Sequence, residues 1–258
     1  MIRWWNRTEY ARTVIFVLGG LIILWEICVR LFGVRSFILP SPSQIVTELS
    51  RSWPFFASQS LYTIYVTSVG FAIAVVGGIV LAFAIVSSRY IERVLYTLLV
   101  ALNSVPKVAL APLFVIWLGT AGAPKIAIAT LIAIFPIVIN TTLGLRAIDP
   151  DVIDLARSAR ASGRHIMMKL RFPNALPSIF AGAKVAISFA LIGAIVGEFV
   201  AGESGLGYII LESQSTFNTP RAFGAIVLLG IIGTVMFYAI DMCERVLLPW
   251  HVSRRGPE

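Results

Sequence analysis

Charge is scarce in this sequence. Only 13% of its 258 residues are Asp, Glu, Lys or Arg, about half the share that coats a soluble domain. With 58% apolar residues and a mean hydropathy of +0.87, a water-soluble globule is excluded. Cysteine and histidine occur twice each. Cys28 and Cys243 both lie in apolar stretches, so no disulfide framework or metal site is indicated. The glycines and serine of 202–205 spell G-x-S-G, but Ser204 would need a histidine base within reach. His165 and His251 both fall on the opposite side of the membrane in the topology derived below. No G-x-x-x-x-G-K-[ST] occurs, so this chain has no P-loop to cradle nucleotide phosphates, and the glycines of 202–207 follow no strand and make no dinucleotide fingerprint. No catalytic, cofactor-binding or metal-binding residue is assigned.

What the sequence has instead is long uncharged runs. At about 20 residues per crossing, they predict one all-α transmembrane domain over residues 1–258, with spans at about 14–29, 61–86, 94–118, 126–145, 178–199 and 222–248. The first run continues through Trp25, Glu26 and Ile27 without a small-residue cleavage site, so it reads as a retained span rather than a signal peptide. Six spans put both termini on one side. With that side cytoplasmic, 15 of the 21 basic residues lie inside, as the positive-inside rule requires. The same rule accounts for the net charge of +8 without a nucleic-acid partner. Trp53, Trp117 and Trp250 fall near span ends, where amphipathic rings anchor at the interface.

Several polar residues interrupt the runs. Asn103, Pro106, Lys107 and Pro112 sit in the third. Proline removes a backbone donor, and broken backbone is tolerated in a bilayer only where protein or a water-filled cavity surrounds it, so Asn103, Pro106 and Lys107 either line a pathway or mark a kink that packs. Glu198 near the outer end of the fifth span either lines a pathway, meets an outside partner or sits in a structural pair. Asp241 and Arg245 are spaced i, i+4 and can pair on one face. Glu26 is expected to be solvated or held by a neighbour.

The loop over 146–177 carries six basic residues. Asp149 followed by Pro150 reads as an N-cap with proline at the first helical position, and Asp151 adds a first-turn carboxylate. Val152, Leu155, Ala156 and Ala159 recur at helical spacing and give a narrow apolar face. Gly163 breaks the pattern, a second short helix begins at Ile166–Leu170, and Pro173 and Pro177 lead back to the membrane. Such a helix can lie on anionic headgroups, serve as a solvated connector, or dock into a groove on a partner.

This loop resembles the EAA segment of ABC importer permeases, Glu-Ala-Ala followed by three residues and a glycine, then nine residues and Ile-x-Leu-Pro. Asp154, Leu155 and Ala156 stand at Glu-Ala-Ala, Arg160 stands at the glycine, and Leu170, Arg171, Phe172 and Pro173 stand at Ile-x-Leu-Pro. The arginine in place of glycine is a departure, with Gly163 three residues on. The stretches LPSPSQIV (39–46), NSVPKVALAPLFVIWLG (103–119) and ALIGAIVGEFVAGESGLGYII (190–210) resemble the nitrate, sulfonate, taurine and bicarbonate branch of the same family. The resemblance implies a type I importer permease fold with six transmembrane helices and a cytoplasmic coupling helix. It implies a multi-pass protein of the cytoplasmic (inner) membrane that works as a homodimer, in contact with lipid, with ATP-binding-cassette ATPase subunits and an extracytoplasmic solute-binding protein. ATP and Mg²⁺ would then bind on the ATPase. Contact with that ATPase would fall to Asp154, Leu155, Ala156, Arg157, Arg160, Gly163 and Arg164. The expected cargo is a small anion or sulfonate-like solute. A self-contained secondary transporter or channel is the competing reading; it predicts internal repeats and a midplane ionisable site, and the two halves show no repeat.

Overall fold

The computed structural model describes residues 2–249, with side chains left out of the description at 2–11, 14, 15, 89, 96, 99, 100, 102 and 103. Every regular element among the described residues is helical. Four helical stretches are long and apolar enough to cross a membrane: Trp53–Ser87 (α3), Gly122–Arg146 (α6), Gly163–Val200, and Thr219–Leu247 (α11). The first expected span falls within α1, Ile2–Leu31.

A short helix, α2 (Pro42–Arg51), follows α1 and is built by its own sequence. Ser41 caps it in a capping box with Gln44, and Pro42 occupies the first turn. Glu26 of α1 accepts from the Ser43 amide at 3.0 Å and the Ser43 hydroxyl at 2.8 Å, and pairs with Arg30. Its neighbour is thus the positive end of α2.

The third run is not one kinked helix. It divides into α4 (Arg89–Ser104), a 3₁₀ turn over Lys107–Leu110, and α5 (Ala111–Leu118). Val105 and Pro106 are extended between them. The residue before a proline is pushed out of the helical region, and a second proline at 112 suits the first turn of a new helix.

The stretch from Gly163 to Val200 also departs from expectation, because it never leaves the helical path. α8 (Gly163–Ile166) runs into a wide π turn over Met167–Arg171 and then into α9 (Phe172–Val200). The Phe172 amide bonds back five residues to Met167, so Pro173 enters where the α-type ladder is already displaced and helix continuity survives.

The core is the contact of α6 with α9, flanked by α3. The two helices run antiparallel along a seam of small residues. Gly144 meets Ser178, Gly182 meets Asn140, Gly193 meets Ala129 and Gly197 meets Lys125. A Cβ at Gly193 would stand 2.6 Å from the Ala129 Cα, so this close backbone approach requires glycine. α3 lies parallel to α6, with Gly70 on Ala129 and Gly78 on Ile137. Near the middle of α9, Lys184 bridges to Asp241 and, at 2.5 Å, to Glu244 of α11; Arg245 pairs with Asp241 at 2.7 Å. The expected Asp241–Arg245 pair is present, and Lys184 extends it into a clamp between helices.

Candidate functional site

Two polar constellations stand at opposite ends of this core. The first surrounds Glu198, whose residue is wholly buried. After α9 the chain turns through 201–205 and starts α10 (Leu206–Ser215), whose first amides need acceptors. Other helices supply them. Gly205 donates to Gln59 at 2.6 Å, Leu206 to the Thr63 hydroxyl at 2.9 Å, and Gly207 to the Glu198 carboxylate at 2.8 Å. Thr63 in turn donates to Glu198 at 2.8 Å. Glu198 therefore places its charge at the N-terminus of α10.

The glycines make room for that contact. Gly205 has φ +108°, and a Cβ there would stand 2.1 Å from the Glu198 carboxyl carbon; at Gly207 it would stand 2.9 Å from the Glu198 Cβ. Both a tight turn and a close approach are thus required. Lys125, also buried, donates to the Tyr62 hydroxyl at 3.1 Å and lies over its ring. Gln59 and Thr63 are spaced i, i+4 in an apolar helix, a pattern that puts two polar groups on one face; it was the available signal for this site. Nothing local to Lys125 marks it as buried.

The second constellation is α7 (Pro150–Ser158) and the turn after it. Asp149 caps the helix by accepting from the Asp151 amide at 2.9 Å. Ile153 is the residue turned inward, while Val152 and Leu155 are exposed at 42% and 72%. The apolar face expected from the periodicity, Val152, Leu155, Ala156 and Ala159, therefore turns outward, with only Ala156 half-buried, and the inward residue Ile153 lies outside that pattern; Asp154 and Arg157 flank Leu155 and pair at 3.1 Å. An exposed pair of this kind contributes about 1 kcal/mol or less to stability, so stability does not explain the exposed leucine and its flanking charges.

The helix ends on a Schellman turn. Ala161 donates to the Ala156 carbonyl at 3.0 Å and Arg160 to the Arg157 carbonyl at 2.9 Å. Arg160 takes φ +60°, the left-handed conformation in which such turns favour glycine. A non-glycine residue there costs roughly 1–2 kcal/mol. Arg160, which stands at the glycine in the EAA resemblance, thus terminates the helix and adopts the backbone a glycine would take. Replacing it tests this: Arg160→Gly is expected to leave the thermal unfolding midpoint unchanged or slightly higher, and Arg160→Val to lower it. A clear drop for the glycine variant would contradict the assignment. Gly163 has open space around it and begins α8 after the Ser162 cap; Arg164 is exposed on the same short helix.

The described residues expected along a pathway, Pro106, Lys107 and Glu198, lie on different elements. The side chain of Asn103 lies outside the described residues. Pro106 is exposed in the break before the 3₁₀ turn, and Lys107 lies 5.4 Å from the centre of the Phe135 ring of α6. Glu198 is enclosed between α3, α9 and α10, with its oxygens on Thr63 and Gly207.

Residues 74–249 match the family described as binding-protein-dependent transport system inner membrane component. The chain belongs to this family. Over 89% of its length it is 36% identical to the formylaminopyrimidine transport permease protein ThiX of Halalkalibacterium halodurans, covering 92% of that protein. Over 92% it is 32% identical to the putative aliphatic sulfonates transport permease protein SsuC of Escherichia coli (strain K12), covering 90% of that protein. The MetNI methionine ABC transporter in an inward-facing conformation has the same fold, with a TM-score of 0.64 at 20% identity over 76% of this chain and 97% of that one. The permease is thus a multi-pass, non-enzymatic subunit of an ABC importer in the inner membrane; members of its family work with a partner ATPase, where ATP is hydrolysed, and with a solute-binding protein. The reading as a self-contained secondary transporter or channel is not supported by these relatives.

Proposed function

We propose that two copies of this permease enclose the solute path, that six crossings bring both termini and α7 to the cytoplasm, and that α7 is the coupling helix of an EAA segment. The observation that carries this reading is the exposed Leu155, flanked by Asp154 and Arg157 on a capped helix. Leu155 and Val152 fill an apolar groove on the ATPase, and the charges fix register. When the ATPase pair closes around ATP and Mg²⁺, α7 moves with it. α8 is continuous with α9, so the displacement passes into the α6–α9 core and shifts the balance of inward-open and outward-open states. A second copy is supported by the exposed extended backbone at Val105 and Pro106, which a bilayer tolerates only when protein or water covers it. Lipid contacts the remaining apolar faces. The cargo is a small anion or sulfonate-like solute; the identity to the formylaminopyrimidine permease favours a small pyrimidine as the second reading.

A thiol at Leu155 tests the contact. With Cys28 and Cys243 replaced by serine, Leu155→Cys is expected to cross-link to the ATPase in vesicles when the reagent enters from the cytoplasmic side. Cross-linking only from the outside, no cross-link at Leu155 although the ATPase co-purifies with the variant, or an equal cytoplasmic-side cross-link from Trp117→Cys, would overturn the docking role and the orientation.

A further inference from the structure

On the membrane side of α7 lies a cavity of about 620 Å³ lined by Val86, Ser87, Ile153, Arg157, Arg164, Met167, Met168 and Arg171 among others, with no acidic residue in its wall. It opens between the end of α3, α7 and the π turn. Three arginines and the methionine, valine and isoleucine side chains line it together. Arg157 has Asp154 as a partner outside the cavity, whereas Arg164 and Arg171 have no ion-pair partner among the described residues. Guanidiniums gathered without a counter-charge favour an anion between them.

We infer that this cavity binds the phosphate of an anionic glycerophospholipid of the cytoplasmic leaflet, with Arg164 and Arg171 as its ligands and Arg157 beside them. The site sits where the uncharged run of α3 ends at Ser87 and Arg89 begins the next helix, the depth at which headgroups lie. Guanidinium forks match phosphate oxygens, and basic pockets between helices at this leaflet take anionic headgroups. The apolar wall of Val86, Met167 and Met168 suits the glycerol and first methylenes, which a free phosphate lacks. A lipid here wedges between the coupling helix and the core, so headgroup binding sets how firmly α7 is held. The inference rests on the cytoplasmic placement of α7 proposed above and goes beyond it.

Native mass spectrometry of the permease, released from detergent micelles doped with equal phosphatidylglycerol and phosphatidylcholine, reads the site directly. The expected result is one retained phosphatidylglycerol per chain in preference to phosphatidylcholine, with retention weakened at least about tenfold in Arg164→Gln/Arg171→Gln. Met168→Trp, which fills the cavity and keeps every arginine, is expected to lose the lipid too, and decides the matter if the double variant does not fold. Equal retention of the two lipids, or retention unchanged in a folded variant, would overturn the site. Displacement of the lipid by millimolar inorganic phosphate would overturn the lipid as occupant in favour of free phosphate. No ATPase enters this measurement, so its failure leaves the coupling role of α7 standing, and failure of the Leu155 cross-link leaves the lipid result readable.

Discussion

Gly205→Val is expected to abolish stable folding of the permease, and Glu198→Ala to destabilise it severely. Valine at 205 meets two obstacles. Its backbone would have to hold φ +108°, which costs on the order of 1–3 kcal/mol. Its Cβ would also occupy the Glu198 carboxylate, 2.1 Å from the carboxyl carbon. If the carboxylate is driven from its place, a buried charge loses its partners, and losses of about 3–5 kcal/mol are typical of such disruption. Glu198→Ala removes the acceptor of the Gly207 amide and the Thr63 hydroxyl, at roughly 1–3 kcal/mol for each group left unsatisfied. Glu198→Gln keeps an acceptor oxygen and is expected to fall between wild type and alanine. Thermal unfolding of the detergent-solubilised chain orders the variants. An unchanged midpoint for Gly205→Val would contradict the proposed lock of α10 onto α3 and α9.

The second large effect is expected at α7. Leu155→Pro removes an interior helical donor and drives the ring into the preceding turn, a cost of about 3 kcal/mol in a helix of nine residues. So short a helix cannot absorb that and unravels. The α6–α9 seam, the α3 contacts and the Lys184 clamp lie elsewhere, so the chain still folds and inserts. Transport coupled to ATP is expected to fall to background while the unfolding midpoint stays near that of wild type. Loss of both together would mean that α7 is a stability element instead.

Local signals carried much of this architecture. Asp149, Pro150 and Asp151 announced the start of α7 because capping depends on neighbours in sequence, and the Asp241–Arg245 pair follows from helical spacing alone. Gly205 and Gly207 could be read as a close approach, but not onto what. Glu198 and Thr63 are 135 residues apart, and no periodicity relates them. Lys184 likewise reaches Asp241 across 57 residues. Prolines misled in both directions. Pro106 was expected to kink a single span and instead separates two helices, whereas Pro173 interrupts nothing, because the π turn before it has already displaced the hydrogen-bond ladder. The apolar face of α7 was legible as a pattern, yet only packing decides that Ile153 turns inward and Leu155 outward.

The measurement that bears most directly on an ATP-driven role is the initial rate of solute uptake in proteoliposomes containing the permease, with the ATPase subunit, the binding protein and ATP supplied or withheld. A labelled aliphatic sulfonate and a labelled pyrimidine serve as the two cargo probes. Uptake of at least one is predicted only when all three are present, and is predicted to vanish with Leu155→Pro in an otherwise folded chain. Uptake that persists without the ATPase, or that survives the proline, would contradict the account.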